Sequence, residues 1–155
     1  MFSFNSLRKV PVVAGRGVLS GGGGLVEEKG RVVWGGPGGV FMWDEGEWRR
    51  VGDGGAWYGT LAVCGGRLVC IGGEKDGGLG CSNEVRELRG GRWSTWSHML
   101  VGCSVSCVVS VNGGGMVVMG GNGDGGRGLK DVQVFDGETK TWHRGPSLPQ
   151  PCGLM

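Results

Sequence analysis

The stretch Arg67-Leu-Val-Cys-Ile-Gly-Gly73 runs into an acidic, glycine-rich loop, then Asn83-Glu-Val-Arg-Glu-Leu88, Gly90-Gly91 and Trp93. The same order returns downstream as Met116-Val-Val-Met-Gly-Gly121, a glycine-rich loop, Asp131-Val-Gln-Val-Phe135, Asp136-Gly137 and Trp142. A weaker copy precedes both: Arg31-Val-Val-Trp-Gly-Gly36, Val40-Phe-Met-Trp43, Asp44-Glu-Gly46 and Trp48. Trp48, Trp93 and Trp142 follow one another at steps of 45 and 49 residues. A period of about 50 residues built from short apolar runs is the pattern of propeller blades.

Within the middle copy, residues 60–64 predict a first strand and Gly65-Gly66 a two-residue turn, where positive φ costs glycine little. Residues 68–71 are apolar without alternation, so both faces of that strand are expected to be buried. Stacking between neighbouring blades supplies that burial. Residues 85–88 and 92–96 form a second hairpin about Gly90-Gly91. The last copy repeats the plan with strands at 104–111, 116–119, 132–135 and 141–144. The first has 25–28, 31–34, 40–43 and 47–51, with only a short loop from Gly36 to Val40. No stretch carries the apolar spacing of an amphipathic helix.

The 155 residues suit one domain. With 38 glycines and 5 prolines the composition would suit a disordered chain if it lacked a period. The repeat, seven tryptophans and the apolar runs argue for a packed core. A net charge of +2 with no long basic run argues against nucleic acid and against a polybasic membrane surface. No apolar run approaches the ~20 residues that span a bilayer. The first ten residues lack a signal-peptide core. Arg8, Lys9 and Arg16 without an acid before Glu27 weakly resemble a transit peptide, but Gly21-Gly-Gly-Gly24 opposes an amphipathic helix. Six cysteines show no disulfide or zinc spacing. Cys103 and Cys107 would lie ~13 Å apart on one strand, and Cys64 faces Arg67 across its turn rather than Cys70. A reduced, cytoplasmic protein is expected.

These residues resemble the kelch repeat: an apolar strand ending in Gly-Gly, a variable loop, an aromatic in the third strand and a tryptophan in the fourth. The matching positions are Gly35, Gly36, Trp43 and Trp48; Gly72, Gly73, Leu88 and Trp93; and Gly120, Gly121, Phe135 and Trp142. Leu88 departs from the aromatic. The third copy also has the usual tail, Gly145-Pro-Ser-Leu-Pro149. The resemblance covers residues 25–150 and implies an all-β chain of about three four-stranded antiparallel blades (25–52, 59–97, 103–145) in an incomplete ring. Residues 1–24 form a glycine-rich segment, open to being the remnant of a preceding blade, and 151–155 a tail. A full ring of about six blades would need about 290 residues. The chain is therefore expected to be half of a dimeric ring, a fragment of a larger propeller or a degenerate product.

Gly121-Asn-Gly-Asp-Gly-Gly126 matches G-x-G-x-x-G, but a dinucleotide site needs a helix next, and a strand pattern follows. Trp43-Asp44 mimics the WD dipeptide without its context. His98 and His143 follow the fourth-strand tryptophans and are expected in or near surface loops. They show no ligand spacing with the cysteines, so neither metal nor other cofactor is expected. Glu27-Glu28 and Asp44-Glu45 lack an acid-base partner. In a blade, the loops after the second and fourth strands share one face. That face collects Trp57 and Tyr58 with Asp53, Glu74, Asp76, Ser82, Asn83, Ser97, His98, Asn122, Asp124 and Arg127, where binding on a rigid scaffold is expected. The resemblance implies loop arginines and serines as peptide contacts, here Arg127, Arg144 and Ser82. The expected function is a non-enzymatic module binding a protein or peptide, with self-association a further partner. A kelch-type copper oxidase is the remaining alternative; it would need tyrosine and histidine ligands, of which the chain has Tyr58 and two histidines.

Overall fold

The computed structural model describes residues 30–75 and 80–153, together with the backbone of Gly24–Glu28. Asp76 lies outside the described residues.

Among the described residues, twelve strands form three four-stranded antiparallel sheets. The first holds β1 (Gly24–Glu28), β2 (Arg31–Gly36), β3 (Gly39–Asp44) and β4 (Glu47–Gly52). The second holds β5 (Thr60–Cys64), β6 (Arg67–Ile71), β7 (Glu84–Arg89) and β8 (Arg92–His98). The third holds β9 (Cys107–Val111), β10 (Gly115–Met119), β11 (Val132–Asp136) and β12 (Thr141–Arg144). Each sheet is a simple meander, and β5 neighbours both β1 and β9, so the first strands of the three blades lie side by side. The only helical turn among the described residues is a 3-10 turn over Asp124–Gly126. It occupies the G-x-G-x-x-G stretch and leads to β11, without the helix a dinucleotide site requires.

The unalternating strand of the middle copy is buried on both sides. Leu68 and Cys70 join Val33, Val40 and Leu61 in the core between the first two blades. Val69 and Ile71, with Ala62, Cys64 and Val85, face Val108, Met116, Val118 and Phe135 of the third. Each fully buried aliphatic side chain contributes about 1.5–3 kcal/mol over its exposed state, so the two interfaces hold the blades in their order. At one border, Arg67 pairs with Glu87 at 3.2 Å and lies over the Trp96 ring at 5.3 Å.

Three expectations need correction. The first strand of the last blade begins at Cys107, not 104. Val105 takes a left-handed φ of 52° that ends regular pairing, and Ser104 bridges Asn122 instead. Cys103 therefore precedes that strand. Of the two histidines expected in or near loops, His98 ends β8 beside one, but His143 lies within β12. The third concerns the glycine pairs. Gly72, Gly73, Gly120 and Gly121 all have positive φ, whereas Gly35 and Gly36 remain extended inside β2. The registers explain this. Gly35 pairs with Val40 as Ile71 pairs with Val85, so Gly36 corresponds to Gly72 and Pro37 to Gly73.

Candidate functional site

The left-handed glycines close each blade onto the segment that follows it. Gly73 N–H donates to the Cys103 carbonyl at 2.9 Å, and Gly121 N–H to that of Cys152 at 2.6 Å. The β4–β5 linker is held just as firmly. Gly55 N–H donates to Gly36 O at 3.0 Å, Glu74 N–H to Trp57 O at 2.8 Å, and Val105 N–H to Tyr58 O at 2.9 Å. Tyr58 itself carries a φ of 56°, uncommon for a bulky residue and sustained here by those contacts.

This bracing leaves a cleft of about 870 Å³ between the first and second blades. Trp57, Tyr58, Glu74 and Ser82, four of the sequence-derived loop residues, line it together with Lys75, Glu84 and Arg86. Trp57 is 56% exposed and its ring lies 6.4 Å from that of Tyr58, giving the cleft an aromatic rim. Ser82 is buried and its hydroxyl accepts the Glu84 N–H, so it shapes the β7 entry.

Arg86 is the residue that sequence reasoning missed. It stands at a register break between Val85 and Arg86, a bulge of the kind that re-aims a side chain. Its Nε is buried without a hydrogen-bond partner, and the guanidinium forms no ion pair among the described residues. The equivalent position in the third blade is Gln133, since Arg86 pairs with Cys70 as Gln133 pairs with Val118. Gln133 uses its amide to hold the β8–β9 linker, accepting from Val101 N–H at 2.8 Å and donating to Val101 O at 3.0 Å. The β4–β5 linker makes no such bond to Arg86, and the cation faces the cleft instead. Its strand reads Glu84-Val-Arg-Glu-Leu-Arg89, with four charged residues of six, so nothing in the sequence singles Arg86 out.

The remaining loop residues separate. Asn83 donates to Met99 O at 3.0 Å and secures the next linker. Asp124 accepts the Cys81 N–H at 2.7 Å, and with Arg127 it lines a second cleft of about 240 Å³ over Cys81, Val101 and Leu129. Asn122 pairs through its backbone with Ser104, while its side-chain oxygen is buried without a partner. Arg144 pairs with Asp131 at 3.1 Å. The described residues contain no cluster of three metal-ligating groups. No helix among them is long and apolar enough to cross a membrane.

Compared with known families, residues 103–149 match the Kelch motif. That span contains the third blade and the Gly145–Pro149 tail. No curated protein matches the chain.

Proposed function

We propose, from the premise that this is a kelch-repeat chain with the motif in its last blade, that it is a non-enzymatic module that binds an extended peptide segment in the cleft between the first two blades. The observation that carries this reading is Arg86: a half-buried guanidinium whose Nε is buried with no hydrogen-bond partner among the described residues, lining a cleft with an aromatic rim. A buried charge left unpaired is costly, so the site gains when a ligand carboxylate completes it. Trp57 and Tyr58 offer apolar faces for a neighbouring side chain, while Glu74, Lys75 and Glu84 limit which charges are tolerated beside it. The fitting ligand is a peptide with one acidic residue next to an apolar one.

A random peptide library displayed on phage tests this. Selection on the 155-residue protein is expected to enrich acidic-apolar peptides. Their affinity should fall at least tenfold in Arg86→Gln and in Trp57→Ala, and stay unchanged in Arg127→Ala. No enrichment, or enrichment indifferent to Arg86 and Trp57, would remove this cleft as the binding site.

A further inference from the structure

Two opposite charges line the cleft between the first two blades without pairing with each other. Glu84 and Arg86 stand two apart on β7 and both border the cleft, while Val85 between them is fully buried. Alternation along a strand puts such residues on one side, about 6.6 Å apart. The register break beside Arg86 adds Trp96 to β8, so β7 keeps this spacing.

The strand offers neither of them a counter-charge. Glu87, the next acid, turns to the opposite side, where Arg67 holds it at 3.2 Å and Arg89 at 3.3 Å. Glu84 is fixed from across the sheet, since the Thr95 hydroxyl donates to its Oε1 at 3.2 Å. That bond orients the carboxylate and supplies no positive charge. Among the described residues, neither Glu84 nor Arg86 forms an ion pair, and Arg86 Nε is buried with no hydrogen-bond partner. Glu74 and Lys75, the other charges at the cleft, are exposed neighbours that water screens.

A lone ligand acid is therefore only half an answer to this site. Brought to Arg86, it also approaches Glu84, and like charges at that separation repel. A base carried by the same ligand relieves the repulsion and meets the second charge. We propose, resting on the reading of this cleft as a peptide site, that its ligand is a zwitterionic segment: its acid meets Arg86, and a basic residue two positions away meets Glu84. An extended chain repeats its side-chain direction every two residues, with the spacing of β7 itself. A segment lying along β7 presents both charges at the required separation, in either chain direction. A base one or three positions from the acid turns away from Glu84.

Fluorescence polarisation on the 155-residue protein tests this. The probe is the acidic-apolar peptide enriched in the phage selection, synthesised with Lys or Gln at one, two or three positions from its acid. Lys at two positions should bind about fivefold tighter than Gln there, and Lys at one or three positions should give no such gain. The gain should vanish in Glu84→Gln and reverse in Glu84→Lys, which should instead prefer a probe with Glu at that place. Thermal melts check that both variants are folded. Should Glu84→Lys not fold, Glu84→Gln and the spacing series still decide. Equal affinities for Lys and Gln at two positions overturn the proposal, as does a gain that survives Glu84→Gln or is the same at every spacing. If the probe meanwhile still needs its acid and Arg86, the peptide site stands and only the zwitterionic ligand falls. Affinity that ignores both the acid and Arg86→Gln removes the cleft reading and this inference with it.

Discussion

Trp93 on β8 donates its indole N–H to the backbone carbonyl of Asp53, 2.8 Å away, and so fastens the outer strand of the second blade to the chain leaving the first. Its ring packs against the core formed by Val33, Val40, Leu61, Leu68 and Cys70. Trp93→Ala removes the ring and the hydrogen bond together and should cost about 3 kcal/mol. Trp93→Phe keeps most of the ring and should cost about 1 kcal/mol. Trp57→Ala, at an exposed rim, should stay within about 0.5 kcal/mol. Urea unfolding curves check the order. Equal losses for Trp93→Ala and Trp57→Ala would show that the blades are not held by this side.

Gly72 and Gly35 occupy neighbouring places in the repeat but tolerate alanine differently. Gly72 has a φ of 62°, and a Cβ there would run into the backbone carbonyl of Cys103. Gly35 is extended, and its added Cβ would meet only the Leu61 Cδ1 tip, 2.5 Å away, which can turn aside. Gly72→Ala should lower the midpoint by several kcal/mol's worth of urea, about 3 kcal/mol or more with strain and clash combined. Gly35→Ala should lose about 1 kcal/mol. The comparison also checks the one-residue offset between the first repeat and the other two.

That offset marks the limit of what the sequence disclosed. The blades were legible because burial on both sides leaves an unalternating strand, and because Gly-Gly and tryptophan recur at fixed places. Gly35-Gly36 has the letters of the pair without its conformation, since the short turn to β3 keeps both residues in the strand. Trp57, Tyr58, Glu74 and Ser82 were legible as loop residues, and they share a cleft because their connections follow the second and fourth strands. Arg86 and Gln133 were not legible. Each sits within a strand, and its role depends on whether a linker packed against it satisfies its polar atoms. Sequence spacing carries no trace of that.

The six cysteines are all free, four buried and two, Cys107 and Cys152, exposed. Native protein should therefore titrate about two thiols rapidly at neutral pH, and unfolded protein all six. Burial pushes Cys103 up from an ordinary value near 9.0 to about 11, against a hydrogen bond from Ser106 that lowers it. Cys64 and Cys70 are raised by burial too. The sign follows from the protons bound. Below pH ~9 both states hold the thiol proton and this contribution is complete; from there to about 11 only the folded state retains it, and stability falls. Cys103 alone corresponds to about 2–3 kcal/mol across that window. Urea midpoints at pH 8 and pH 10.5 measure the loss. A midpoint that holds steady over this range would mean the thiol is open to solvent.

Gln133 is 2% exposed, and its amide makes the paired contact with both polar groups of Val101 that a neighbouring strand would make. It thereby ties the β8–β9 linker to the third blade. Gln133→Leu fits the apolar surroundings but leaves Val101 N–H and C=O without partners, and should cost about 2–3 kcal/mol. Gln133→Glu isolates the donor half of the contact. Its carboxylate still accepts from Val101 N–H but opposes the Val101 carbonyl, and burial disfavours its charge. The folded-state pKa of that glutamate is then raised, so its stabilising form is complete below the unfolded value and is lost as pH rises. The Glu variant should approach wild type in acid and fall behind at neutral pH, while the Leu variant trails at both. Hydrogen exchange of the Val101 amide gives the local reading. It should accelerate at least tenfold in Gln133→Leu, and exchange at the wild-type rate would show that the linker is held by its other contacts.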